Sequence, residues 1–263
     1  MDLRPLGRTG LAVSPLGLGT VKFGRDRGVK YPTSFKLPDD AQIDALLALA
    51  REEGINLLDT APAYGESETR LGRALAGRRD DWIIVGKCGE AFEDGRSSYD
   101  FSPPALEAQV KTSLQRLRTG HLDVLLLHSD GNDLQVLERD GGLETLLGLK
   151  RAGLVRHVGL SAKSVAGARA ALERGAEVLM IEFDPDSAED QALVVEAAAS
   201  GAGVLLKKAL ASGHLDRLPG ADPVGDAFAR ALAPPGISSL IVGTIDPAHL
   251  RENARAARAA ISR

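Results

Sequence analysis

The chain has 263 residues, 44% hydrophobic and 26% charged, with a formal net charge of −4. That apolar share feeds a substantial core and excludes a disordered chain, and the length allows one large domain or two small ones, between which the recurring pattern decides for one over residues 1–263. The charge excludes a bulk electrostatic footprint for nucleic acid; the one cysteine, Cys88, excludes an intramolecular disulfide and fits a reducing compartment.

Residues 1–7 hold no basic segment followed by an apolar one, and no apolar run approaches membrane-spanning length. A cytoplasmic location without a membrane partner is therefore expected. Residues 1–15, with the turn Gly7-Arg8-Thr9-Gly10, read as a hairpin that would plug the N-terminal mouth of a barrel. Apolar runs then recur around 16–20, 55–59, 82–87, 122–128, 155–160, 177–182, 203–207 and 238–242, separated by segments with helical spacing. Such near-continuous hydrophobicity suits parallel strands covered on both faces.

Between the first two strands, Ile43, Leu46, Leu47 and Ala50 make one helical stripe that Gly54 ends. Ser102-Pro103 reads as an N-cap and first-turn proline ahead of Leu106, Val110, Leu114 and Leu117. Ser187 with Asp190 reads as a capping box, and Asp246-Pro247 opens a last helix with Leu250, Ala254, Ala257 and Ile261 facing inward. Eight β-α units without a linker, and without a G-x-G-x-x-G after the first strand, predict an α/β fold: a closed (β/α)8 TIM barrel with an N-terminal β-hairpin. Three long connections, 21–38, 88–102 and 129–137, would wall a pocket on its C-terminal face. The first carries Lys22, Phe23, Arg25, Arg27, Lys30 and Tyr31, a mixture suited to an anionic or aromatic ligand.

The candidate chemistry lies at strand ends. Leu57-Leu58-Asp59 ends on a carboxylate with Tyr64 just beyond, and the next two strands end on Lys87 and His128. A phenol is a reluctant acid at neutral pH. An ammonium at about 4 Å in an effective dielectric of about 20 favours phenolate by roughly 4 kcal/mol before desolvation. Lys87 is thus expected to make Tyr64 a usable proton donor, Asp59 to keep Lys87 charged and aimed, and His128 to donate a hydrogen bond to a substrate oxygen. The group suits reduction of a small-molecule carbonyl. The five histidines show no H-x-H or H-E-x-x-H spacing, so a metal site is not expected.

In this order and placement, Asp59, Tyr64, Lys87 and His128 resemble the catalytic tetrad of the aldo-keto reductase superfamily. The likeness extends to Gly17-Leu18-Gly19-Thr20, Tyr64-Gly65-Glu66-Ser67-Glu68, Gly159-Leu160-Ser161, Gly243-Thr244 and Leu250-Arg251-Glu252-Asn253. The resemblance implies a (β/α)8 barrel that uses NADPH, with NADH as second choice, to move a hydride to an aldehyde or ketone. It also implies cofactor contacts at Gly19, Thr20, Ser161, Gly243, Thr244 and Asn253, to which the strand-end position of Lys207 adds a further candidate. The chain departs from the pattern at Ser161-Ala162, where a Ser-Asn pair is usual, and at Met180, where a Gln is expected. Lys207-Lys208-Ala209-Leu210 stands in place of an aromatic-Ser-Pro-Leu run, and the family's basic 2′-phosphate clamp is reduced to Gly243, Thr244 and His249.

Alternation should turn one of Lys207 and Lys208 inward, beside Glu182 in a buried pair or against the cofactor. Lys87 is expected to lower the pKa of Cys88, without a redox role since no resolving cysteine exists. With the chain ending at Arg263, an open site of broad aldehyde selectivity is expected unless the 21–38 loop covers it. The oligomeric state is left open, with a monomer as the expectation. The alternative reading is a nicotinamide-binding regulatory or sensing protein with little turnover.

Overall fold

The computed structural model describes residues 1–138, 141–218 and 220–262. In chain order its elements are β1 (Arg4–Pro5), β2 (Ala12–Val13), β3 (Leu16–Gly19), α1 (Asp40–Glu52), β4 (Leu57–Asp59), α2 (Ser67–Ala74), β5 (Ile83–Cys88), β6 (Glu90–Glu93) and β7 (Arg96–Tyr99). There follow α3 (Pro103–Leu117), β8 (Leu122–His128), α4 (Asp133–Glu138), α5 (Gly142–Arg151), β9 (Val155–Ser161), α6 (Val165–Glu173) and β10 (Val178–Ile181). The chain continues through α7 (Ala188–Ser200), β11 (Gly203–Lys207), α8 (Pro223–Leu232), β12 (Ile237–Val242) and α9 (Pro247–Ile261). Strands β3, β4, β5, β8, β9, β10, β11 and β12 are all parallel and close into a barrel, as the sequence predicts.

Strand alternation sorts the apolar side chains into two layers. Leu57, Val85, Val124, Leu126, Val178 and Leu205 fill the barrel interior. Their neighbours Leu58, Ile84, Leu125, Leu127 and Leu206 face the helices, in one cluster with Leu46, Leu47, Leu106 and Leu250. Each such fully buried aliphatic side chain contributes about 1.5–3 kcal/mol. The β1–β2 hairpin places Leu6 and Val13 in the interior cluster, so it stoppers the N-terminal mouth. The opposite, C-terminal mouth is where the βα connections converge.

Helix ends differ in detail from expectation. Asp39 and Gln42 form a reciprocal capping box at α1. At α7 only half a box forms: Ser187 caps the Asp190 N–H, while the Asp190 carboxylate accepts from the Asp184 N–H. Ser102 occupies the cap position of α3 without a side-chain bond. Among the described residues no helix is long and apolar enough to cross a membrane, and no cluster of His, Cys, Asp and Glu could hold a metal ion.

Candidate active site

The same alternation that buries Leu57, Val85 and Leu126 turns Asp59, Lys87 and His128 into the C-terminal mouth. Beyond Asp59 the chain makes a single 3-10 turn, Pro62–Tyr64, closed by the Tyr64 N–H donating to Ala61 O at 3.0 Å. Two glycines press this turn against the segment after β3. A Cβ on Gly24 would collide with Tyr64 O and the Ser67 and Glu66 amides, and one on Gly65, at φ +60°, would collide with Gly24 O. Both positions need glycine, and the close approach aims the phenol.

Lys87 Nζ lies 3.0 Å from Tyr64 Oη, is hydrogen-bonded to Asp59 Oδ1, and reaches Thr60 O at 3.3 Å. All three ammonium donors are thereby engaged. Tyr64 Oη is also 3.4 Å from Asp59 Oδ2, and the His128 ring stands edge-on to the phenol with centroids 6.3 Å apart. The tetrad read from the sequence is therefore one cluster. Its electrostatics differ from expectation: Tyr64 is pushed well above the ordinary phenol value, by burial first and then by the charges of Asp59 and Glu90. Asp59 neutralises much of the pull that Lys87 would exert, so the resting phenol holds its proton.

Glu90 was not foreseen. The 88–102 connection folds as the β6–β7 hairpin, and Glu90 at its base is nearly buried. Ser97 Oγ donates to its Oε1 at 2.6 Å, and His128 Nδ1 lies 2.8 Å from its Oε2, although off the line of an ideal bond. Burial pushes this carboxyl up, but His128, Ser97 and Arg25 outweigh it and hold Glu90 down to about 2. His128 is lowered by burial, assisted by Lys87 and Lys207 and opposed by Glu90. The signal was present in the sequence: Asp94-Gly95, both at positive φ, is a hairpin turn pair between Glu90–Glu93 and Arg96–Tyr99.

Across the mouth, Lys207 does turn inward, but not to Glu182. Its Nζ donates to Ser161 Oγ at 3.0 Å and to Ala162 O at 2.7 Å, while the outward Lys208 takes Glu182 in an exposed pair. The expected buried pair is therefore a surface one, and it belongs to the other lysine. Burial lowers Lys207 to about 7 in spite of the attraction of Glu182.

The remaining candidates separate by depth. Gly19 and Gly243 meet at the rim, where a Cβ on Gly243 would stand 3.1 Å from Tyr31 Oη and 3.3 Å from Gly19 O. Ser161, Thr244 and Asn253 are nearly buried, with Asn253 on α9 and Thr244 accepting from the Asp246 N–H. Thr20 is fully buried, its hydroxyl engaged by Asp59 O and Ser67 Oγ, and so braces Asp59 from behind.

Two expectations are overturned. Cys88 alternates away from Lys87 into the sheet–helix layer, and burial raises its thiol pKa instead of lowering it. In the 21–38 loop, Phe23 is a core residue, Lys22 Nζ sits 3.9 Å from the Tyr31 ring centroid, and Arg25 donates to Ala63 O and Gly28 O and stacks on Phe92. Much of that loop's charge is thus spent within the protein. The loop also reaches across the rim to Gly243, Gly213 and His214, which partly covers the mouth. Burial and Asp59 raise Tyr31 to about 12.

Comparisons with known proteins bear on the fold and family of the chain. A crystal structure assigned to the aldo-keto reductases from Pseudomonas aeruginosa is 47% identical, covers 98% of this chain and 95% of its own, and superposes with a TM-score of 0.88. Among curated proteins, an uncharacterized oxidoreductase of Bacillus subtilis is 32% identical over 165 residues, 61% of this chain and 49% of its own. The L-galactose dehydrogenase of Arabidopsis thaliana is 34% identical over 171 residues, 61% of this chain and 48% of its own. The chain thus spans about half the length of the curated relatives it matches. The pattern of the Aldo/keto reductase family matches residues 15–226, most of the barrel, and the chain belongs to that family.

Proposed function

We propose that this protein exchanges a hydride between a nicotinamide cofactor and the carbonyl or alcohol carbon of a small molecule, with Tyr64 carrying the proton. The supporting observation is the placement of Lys87 Nζ 3.0 Å from Tyr64 Oη. As a carbonyl oxygen becomes negative, the phenol hydrogen passes to it, and the phenolate left behind meets the ammonium at hydrogen-bond distance. The raised phenol pKa keeps that hydrogen in place until a strongly basic oxygen forms. Asp59 holds Lys87 aimed, and His128 faces the same oxygen from the other side.

The cofactor is expected to be NADPH ahead of NADH, and when bound it supplies the hydride. The residues on the rim suit a planar amide-bearing ring. Gly19 and Gly243 put bare backbone at the rim beside Tyr31 Oη, and in its protonated form Lys207 has a third N–H donor beyond those given to Ser161 and Ala162. Thr244 and Asn253 extend this surface toward α9, while Thr20 supports it from beneath.

Titration with NADPH and with NADH, followed by turnover of 4-nitrobenzaldehyde, tests the reading and separates an enzyme from a sensor. Tyr64→Phe should lower turnover by about 10²–10⁴-fold while leaving cofactor affinity within about twofold. Unchanged turnover in that variant would remove Tyr64 from the chemistry.

A further inference from the structure

Lys207 brings a primary amine into the C-terminal mouth without a counter-charge of its own. Ala162 O, which can only accept, holds one N–H at 2.7 Å, and Ser161 Oγ takes a second at 3.0 Å. Glu182, the carboxylate that acts on Lys207 most, is bonded to Lys208 instead. The other charges that reach Nζ are cations: Lys208 beside it, Lys87 at the end of β5 and Lys163 just after β9. His128, on β8, is itself held toward its neutral form, by burial first. With Lys207 lowered to about 7, about half of it is free amine at neutral pH, against about one part in a thousand for an ordinary lysine. A neutral amine has two hydrogens and one lone pair. Ser161 and Ala162 take the hydrogens, the lone pair keeps the position left over, and the side chain remains partly exposed. An unprotonated, reachable amine is what condensation with a carbonyl requires.

We propose that Lys207 is a nucleophile that condenses reversibly with small aldehydes to form an imine at the barrel mouth. The Nζ lone pair bonds to the carbonyl carbon while the π pair of C=O moves to oxygen, and a proton passes from Nζ to that oxygen by way of the Ser161 hydroxyl. The resulting carbinolamine loses its hydroxyl together with a second proton from nitrogen, as water, and C=N replaces C–O. Electrons are neither gained nor lost, so no oxidant or reductant takes part, and water reverses the step. This activity lies beyond the hydride transfer proposed above, since it uses neither the cofactor nor Tyr64. It belongs to the cofactor-free protein, because a cofactor on the rim would face the same nitrogen.

The test is incubation of the cofactor-free wild-type protein with benzaldehyde and sodium cyanoborohydride at neutral pH, which reduces any imine to a stable benzylamine, followed by peptide mapping by mass spectrometry. Lys207 should acquire the benzyl group at least about tenfold faster than the exposed Lys111. Equal rates, or labelling of surface lysines alone, overturn the proposal. Because pH also acts on the reductant, the ratio of the two rates is the second measure. From neutral pH to about pH 9 the free-amine fraction of Lys111 grows by about 100-fold and that of Lys207 only about twofold, so the lead of Lys207 should shrink at least about tenfold. A constant ratio would show that Lys207 reacts as an ordinary ammonium. Failure of trapping leaves the hydride transfer standing, and absence of turnover leaves the imine standing.

Discussion

The mouth of the barrel holds two inward lysines in contrasting surroundings. Lys87, at the end of β5, is hydrogen-bonded to a carboxylate, a phenol and a backbone carbonyl. Lys207, at the end of β11, has only a serine hydroxyl and a backbone carbonyl, and burial brings it to about 7. Both are delivered by the same strand alternation. What separates them is the partner: an opposite charge close by offsets desolvation, whereas neutral dipoles offset only part of it. One half of the mouth thus holds an ammonium paired with a carboxylate, and the other carries an amine near its point of neutrality.

The largest effect that would sharpen this contrast comes from Lys87→Met. It leaves Asp59 buried without a cation, so unfolding by denaturant should show a loss of about 3–5 kcal/mol, with turnover reduced at least as far as in Tyr64→Phe. A loss comparable to that of a surface mutation would mean that Asp59 does not depend on Lys87 as its counter-charge.

Lys207→Met should do the opposite. Because the folded value of about 7 lies below the ordinary 10.5, the unfolded chain binds the extra proton between them, and wild-type stability rises with pH across that window. The full burial penalty is present below pH 7, so there the methionine variant should gain on the order of 2 kcal/mol after losing two hydrogen bonds. Melting curves at several pH values should show the gain fading as pH climbs toward 10.5. A gain independent of pH would assign the effect to packing.

The smallest effect belongs to Lys208. Its pair with Glu182 is exposed and its backbone stands at φ +60°, a strain that alanine shares, so Lys208→Ala should change stability by less than about 0.5 kcal/mol. A larger change would show that the surface pair holds the end of β11 in place.

Asp59, Lys87, His128 and the inward turn of one of Lys207 and Lys208 were legible because each lies at the end of an apolar strand, where period 2 assigns a face without knowledge of any neighbour. Tyr64 was legible because its turn is short. Glu90 escaped because it is brought to His128 by a hairpin from a different connection, 38 residues away in sequence. The charges of the 21–38 loop misled for a related reason. Composition shows that Arg25 and Lys22 are basic, but not that Phe92, Tyr31 and Phe35 stand ready to receive them.

Near-continuous apolar runs separated by segments of helical spacing are enough, by themselves, to assign eight parallel strands, a plugged N-terminal end and the ionisable groups of the opposite mouth. Only the tertiary structure decides which of these groups become partners, that burial raises Tyr64 and Cys88, and that Glu90 stands beside His128. The physical reason is one of range: side-chain direction follows from the local backbone, whereas charge state depends on burial and on atoms a few ångströms away that arrive from distant parts of the chain.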